Sequence, residues 1–118
     1  MKNHLGFTYS EIVGGVLIAF REQSKQSQSE IAKEIGIGQT AYSRIEQGLT
    51  QGLSPHVLAI IAHTWCIDPH KIYFIADKVV TKLLKLGFVF VYQKIDKNHM
   101  KITKSSLQKI IHECMVEQ

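Results

Sequence analysis

The chain holds little that fixes or breaks a fold covalently: two cysteines and two prolines among 118 residues. Cys66 and Cys114 cannot form a disulfide framework, so the expectation is two buried thiols in a reducing cytoplasm. No CxxC or HxxxH pair occurs. The six histidines are scattered; His56, His63 and His70 recur every seven residues but straddle Asp68-Pro69, which breaks a continuous helix. They are read as solvated or capping residues, with no metal site expected. No apolar run approaches the ~20 residues of a membrane span, and no basic-then-apolar leader opens the chain, so neither membrane insertion nor export is expected. A Gly-rich phosphate loop and a Ser/His/Asp grouping are missing as well. The carboxylates fall mostly on solvated or capping positions, so neither an enzyme nor a cofactor is expected.

Apolar residues make up 45% of the chain and charged residues 20%, enough for a core and too little low-complexity sequence for disorder. At this length one compact domain with a small appended element is expected. The net charge is +4 and the pI near 9.1, which permits a polyanionic partner without demanding one. The excess is uneven. Residues 1–78 carry seven Lys/Arg against seven Asp/Glu, and residues 79–118 carry seven against three.

The first helix is expected to start at Ser10, with Ile12, Val13, Val16, Leu17 and Phe20 as one apolar stripe. Gly14-Gly15 inside it either permits close packing or marks a later start. Ser27-Gln28-Ser29-Glu30 reads as a capping box. Ile31, Ala32 and Ile35 then face inward, and Gly36 ends the helix. A second short helix runs from Gln39 to about Gln47 and stops at Gly48. Ser54-Pro55 and Asp68-Pro69 each start a further helix, the last persisting to Leu86 with Gly87 as its cap. Beyond Gly87 the period changes. Phe88 to Tyr92 reads as a strand, Asp96-Lys97-Asn98 as a turn, and Met100 to Thr103 as a returning strand that would close a hairpin. Ser105-Ser106-Leu107-Gln108 reads as another capping box before a final helix striped with Leu107, Ile110, Ile111, Cys114 and Met115.

The helix from Gln39 is one-sided. Tyr42 and Ile45 point one way, with Ala41 beside them. Thr40, Ser43, Arg44 and Gln47 point the other way, with Gln39 at the edge near the start. The outer face carries hydrogen-bonding side chains and no acid, which would repel phosphate. Such a helix fits the DNA major groove, where Gln pairs with adenine and Arg with guanine. Taken alone it is equally an ordinary amphipathic helix with a solvated face. Its surroundings add to the reading. Gln28 to Gly48 resembles the lambda-repressor/Cro-like (XRE-type) helix-turn-helix family in Gln28, Ala32, the turn Gly36, the buried Ile37, Tyr42 and Ile45, and Glu46 followed closely by Gly48. The likeness runs from about Ile12 to Ile75.

The resemblance implies a mainly α protein with a five-helix DNA-binding domain over 1–78; the residues beyond it, 79–118, are read from their own pattern as a small β-hairpin/helix extension. It also implies that Gln28 contacts a phosphate and braces Gln39, that Gln39, Thr40 and Arg44 face bases with Ser43 beside them, and that Arg21 pairs with Glu46. One departure stands out. The loop Leu49 to Leu53 has no basic residue, so phosphate contacts fall to Lys25, Lys2 or backbone amides at helix starts. Weak monomer binding and a dimer on a two-fold site are therefore expected. The extension is too small for its own core. It is read as a dimer interface built from Phe88, Phe90, Tyr92, Ile110, Ile111 and Met115, or else as the completion of the monomer core. The expected function is a cytoplasmic, dimeric transcription regulator, a repressor on double-stranded DNA. The alternative is a partner-binding module of the antitoxin type that grips a protein through 79–118.

Overall fold

The computed structural model describes residues 5–50, 53–91 and 100–116. Strand β1 (Leu5–Phe7) leads into helix α1 (Tyr9–Gln23), followed by α2 (Gln28–Ile35), α3 (Gln39–Glu46), α4 (Pro55–Thr64) and α5 (Pro69–Lys85). Two short strands, β2 (Val89–Phe90) and β3 (Met100–Lys101), precede the last helix, α6 (Lys104–Val116). The mainly α architecture agrees with the sequence reading, and so do the stops at Gly36, Gly48 and Gly87. The start of α1 lies slightly earlier than expected. Thr8, not Ser10, caps it: the Glu11 amide donates to Thr8 Oγ1 (3.2 Å) and Glu11 Oε1 accepts from the Thr8 amide (3.0 Å). The Ser27–Glu30 capping box forms as expected.

Helices α1 to α5 end in one way. A residue with left-handed backbone follows each helix, and the next amide reaches back to the last turn, which satisfies carbonyls left without helical partners. Three of these residues are glycines; the other two, Lys25 (φ 57°) and Cys66 (φ 55°), are not. At α4 the Cys66 amide donates to His63 O (3.0 Å) and the Ile67 amide to Ala62 O (3.1 Å). This closure turns Cys66 outward. Its thiol is exposed, against the expectation of two buried thiols, and only Cys114 is buried.

The expected β-hairpin does not form. β2 and β3 both pair in parallel with β1, which lies between them, in the order β2-β1-β3. Gly6 and Phe7 align with Val89 and Phe90, while Leu5 and Gly6 align with Met100 and Lys101. Parallel neighbours cannot be joined by a tight turn, so β2 and β3 meet the N-terminal strand rather than each other. The expected turn at 96–98, and Tyr92 with it, lie outside the described residues. The capping box at Ser105 is also replaced. Thr103 Oγ1 accepts from the Ser106 amide (3.2 Å), and Gln108 reaches across to donate from Nε2 to Gly15 O (3.3 Å).

One core runs through the whole fold. Ile12, Val16 and Leu17 of α1, Ile72, Ile75 and Leu83 of α5, and Ile111 of α6 belong to the same buried cluster. The adjacent glycines of α1 explain how three helices crowd around it. A Cβ on Gly14 would stand 2.4 Å from Glu46 O at the end of α3. A Cβ on Gly15 would stand 2.4 Å from Ile111 Cδ1 and 2.8 Å from Gln108 Oε1 of α6. Close packing, not a late helix start, is therefore the role of Gly14-Gly15.

Candidate nucleic-acid interface

α3 is held from behind by its own inward side chains. Tyr42 is fully buried, and Ile45 is nearly so. Glu46, the helix's one acid, is also turned inward and only 3% exposed. A carboxylate in that position is stable only with close partners. It accepts from Arg21 Nε at 2.6 Å, Arg21 Nη2 at 3.1 Å and Gln28 Nε2 at 2.8 Å. Arg21 completes its set by donating from Nη1 to Gln26 O (2.9 Å). The Glu46 carboxylate holds the Arg21 guanidinium above its already high ordinary pKa. Burial first, and the Glu46 carboxylate second, push the Tyr42 hydroxyl well above the ordinary tyrosine range. Arg21 therefore stays charged, and Tyr42 stays neutral, at any physiological pH.

This cluster ties three helices to one carboxylate: α1 through Arg21, α2 through Gln28 and α3 through Glu46 itself. The Arg21–Glu46 bond is the one implied by resemblance. The Gln28 bond is not, for Gln28 was expected to brace Gln39, and its amide nitrogen donates to Glu46 instead. Two further links had no signal in any local window. Trp65 Nε1 donates to Gln26 Oε1 (2.8 Å), fastening α4 to the end of α1, and Trp65 stacks on Phe20 at 6.0 Å.

On the outer face Gln39, Thr40 and Arg44 are exposed, and Ser43 is half-buried between them. Gln47 Nε2 donates to Ser43 Oγ (2.8 Å), an i,i+4 contact that the helical spacing of the two residues foreshadows. Gly38 gives α3 no side-chain cap, so the first amides of the helix are not consumed by one. α2 differs at its start. Glu30 closes its capping box there, and the bond from the Ser27 amide holds the Glu30 carboxyl below the usual range. That negative charge sits where a phosphate would approach the α2 amides. Lys25, at the corner between α1 and α2, is exposed.

The residues read as a dimer interface are divided. Ile111 is wholly inside the single chain, and Phe88, Ile110 and Met115 are half-buried against its core. Phe90 is 46% exposed and stacks on Phe7, with ring centroids 4.9 Å apart. Tyr92 lies outside the described residues. Among the described residues no helix is long and apolar enough to cross a membrane, and no group of His, Cys, Asp and Glu could hold a metal ion.

Two short helices meeting at a glycine turn, the second buried on one side and polar on the other, define a helix-turn-helix domain of the DNA-binding class. Residues 17–64 match the family described as Helix-turn-helix, so this segment is similar to the XRE-type domains of lambda repressor and Cro. The match supports a DNA-binding transcription regulator of that type. No curated protein and no solved structure matches the chain.

Proposed function

We propose that the protein is a sequence-specific transcription regulator of the cytoplasm that represses by occlusion, binding a palindromic operator as a homodimer. The observation that carries this reading is the charge of α3: its only acid is turned inward and paired with Arg21, which leaves an outer face of Gln39, Thr40, Ser43 and Arg44 free of negative charge. Gln39 and Thr40 lie in the first turn, the part of a recognition helix that reaches base edges, and Arg44 follows one turn later. Lys25, Gln28 and the uncapped α3 amides take the phosphates. Two copies would set their recognition helices about 34 Å apart, one turn of DNA. Phe90 offers an exposed apolar edge for that contact.

Selection of bound duplexes from a random pool tests the reading. A palindromic consensus that footprinting assigns to the 39–47 surface is expected. A pool with no enriched sequence, or crosslinks from DNA to another face, would overturn it. Few cations line the site, so the log–log salt slope should be shallow; a slope steeper than about −8 would show many more phosphate contacts than this surface offers.

A further inference from the structure

Along α5, at its edge with α6, runs an open groove of about 490 Å³ that the proposed DNA contact does not use. Its long wall is one stripe of α5, made by Phe74, Lys78, Thr81 and Lys85, with Lys82 beside it and Cys114 contributed by α6. Phe74 is 57% exposed, a large aromatic surface to leave in water. Lys78 Nζ lies over its ring, 5.6 Å from the centroid. The charge of the lining is one-sided: three lysines against the single acid Asp77. Asp77 already accepts the Tyr9 hydroxyl (3.0 Å), and the neighbouring Glu113 already accepts from Lys82 (3.1 Å).

We propose that this groove docks an acidic amphipathic helix of another protein, with apolar side chains on Phe74 and carboxylates on Lys78 and Lys85. The stripe at i, i+4, i+7 and i+11 is one continuous ridge of α5, along which a partner helix can lie with its side chains in the adjoining groove. Charge decides between occupants. A second copy docked about a two-fold axis would set Lys78 and Lys85 against their own counterparts, and opposed like charges disfavour a partner strongly. A head-to-tail copy would leave an open polymer rather than a closed dimer. An acidic helix satisfies both halves of the surface at once. The groove belongs to α5 and α6 whereas α3 packs on α1 and α2, so this inference does not depend on the DNA reading.

The test uses the full chain and a fluorescent synthetic helix bearing Leu on one face and Glu along its flanks, followed by anisotropy. Saturable binding is expected. It should weaken about tenfold in K78E/K85E and in F74S, and also when Gln replaces Glu in the probe. A probe carrying Lys in place of Glu should bind K78E/K85E better than the parent, a gain that a misfolded variant cannot produce. Absence of saturable binding, or equal binding by parent and K78E/K85E, would overturn the proposal. So would two other outcomes: F74S converting a dimer to a monomer in sedimentation, which would make the occupant a second copy, or K78E/K85E losing affinity for a duplex of unrelated sequence, which would make it nucleic acid.

Discussion

Gly14 and Gly15 stand side by side on α1, yet they face two regions built on different terms. Gly14 meets backbone, the carbonyls of Ile45 and Glu46 that end α3. Gly15 meets the tips of side chains on α6. The helix-turn-helix half is thus set at a distance that backbone fixes and that the Arg21–Glu46–Gln28 cluster locks. The C-terminal extension rests on groups that can turn. The contrast fits the proposed function, in which α3 would have to be placed to a fraction of an ångström to read bases, whereas a supporting helix need only fill volume. The extension is nonetheless no accessory. Ile111 is fully buried in the core that also carries α1 and α5.

The comparison can be broken first at Ile111. Ile111→Ala should cost about 2–5 kcal/mol and lower the single unfolding transition of the whole chain. If a separate transition appears while the rest of the chain keeps its midpoint, the two regions are independent and the shared core is refuted. For the same reason, truncation after Leu86 would strip the cover from α1 and α5 and report on folding rather than on dimerisation.

The glycine pair sharpens the contrast. Gly14→Ala must push backbone, so a loss of about 3 kcal/mol is expected together with weakened DNA binding. At Gly15 the clash is with movable side chains, and the ~1 kcal/mol helical preference of Ala over Gly offsets much of it, so Gly15→Ala should come out near neutral in denaturant midpoint. Equal costs at the two sites would erase the distinction.

On the reading surface, Arg44→Ala should cost about 1–3 kcal/mol of affinity and relax preference at one base pair. Uniform weakening on every sequence would make Arg44 a phosphate contact instead. The smallest effect belongs to the helix ends. Cys66 takes a left-handed backbone without being glycine, so Cys66→Gly should stabilise by about 0.5–1 kcal/mol with DNA affinity unchanged.

Much of the helix-turn-helix half was legible in sequence. The Ser27–Glu30 box, the stop at Gly36 and the one-sided helix from Gln39 are all relations within a few residues, and the fold keeps them. The extension was far less legible. Strand β1 is three residues with a glycine at its centre, which carries almost no strand signal. With β1 unseen, two later strands looked like partners of each other. Gln108 suited a local capping box and bonds instead to Gly15, ninety-three residues away. In the site, Arg21 with Glu46 followed from resemblance, but the bond from Gln28 joins residues eighteen apart with no periodic relation.

The sequence alone determined where α2, α3 and α5 stop, which face of α3 is polar and that its outer side is free of acid, because capping, left-handed closures and helical period act over about five residues or fewer. Only the tertiary structure decided that β1 divides β2 from β3, that adjacent glycines seat α3 and α6, and that Ile111 lies inside the chain rather than on a partner-facing surface. Those outcomes depend on which distant surfaces meet once the chain is packed, and burial and close approach leave no trace in a short window of residues.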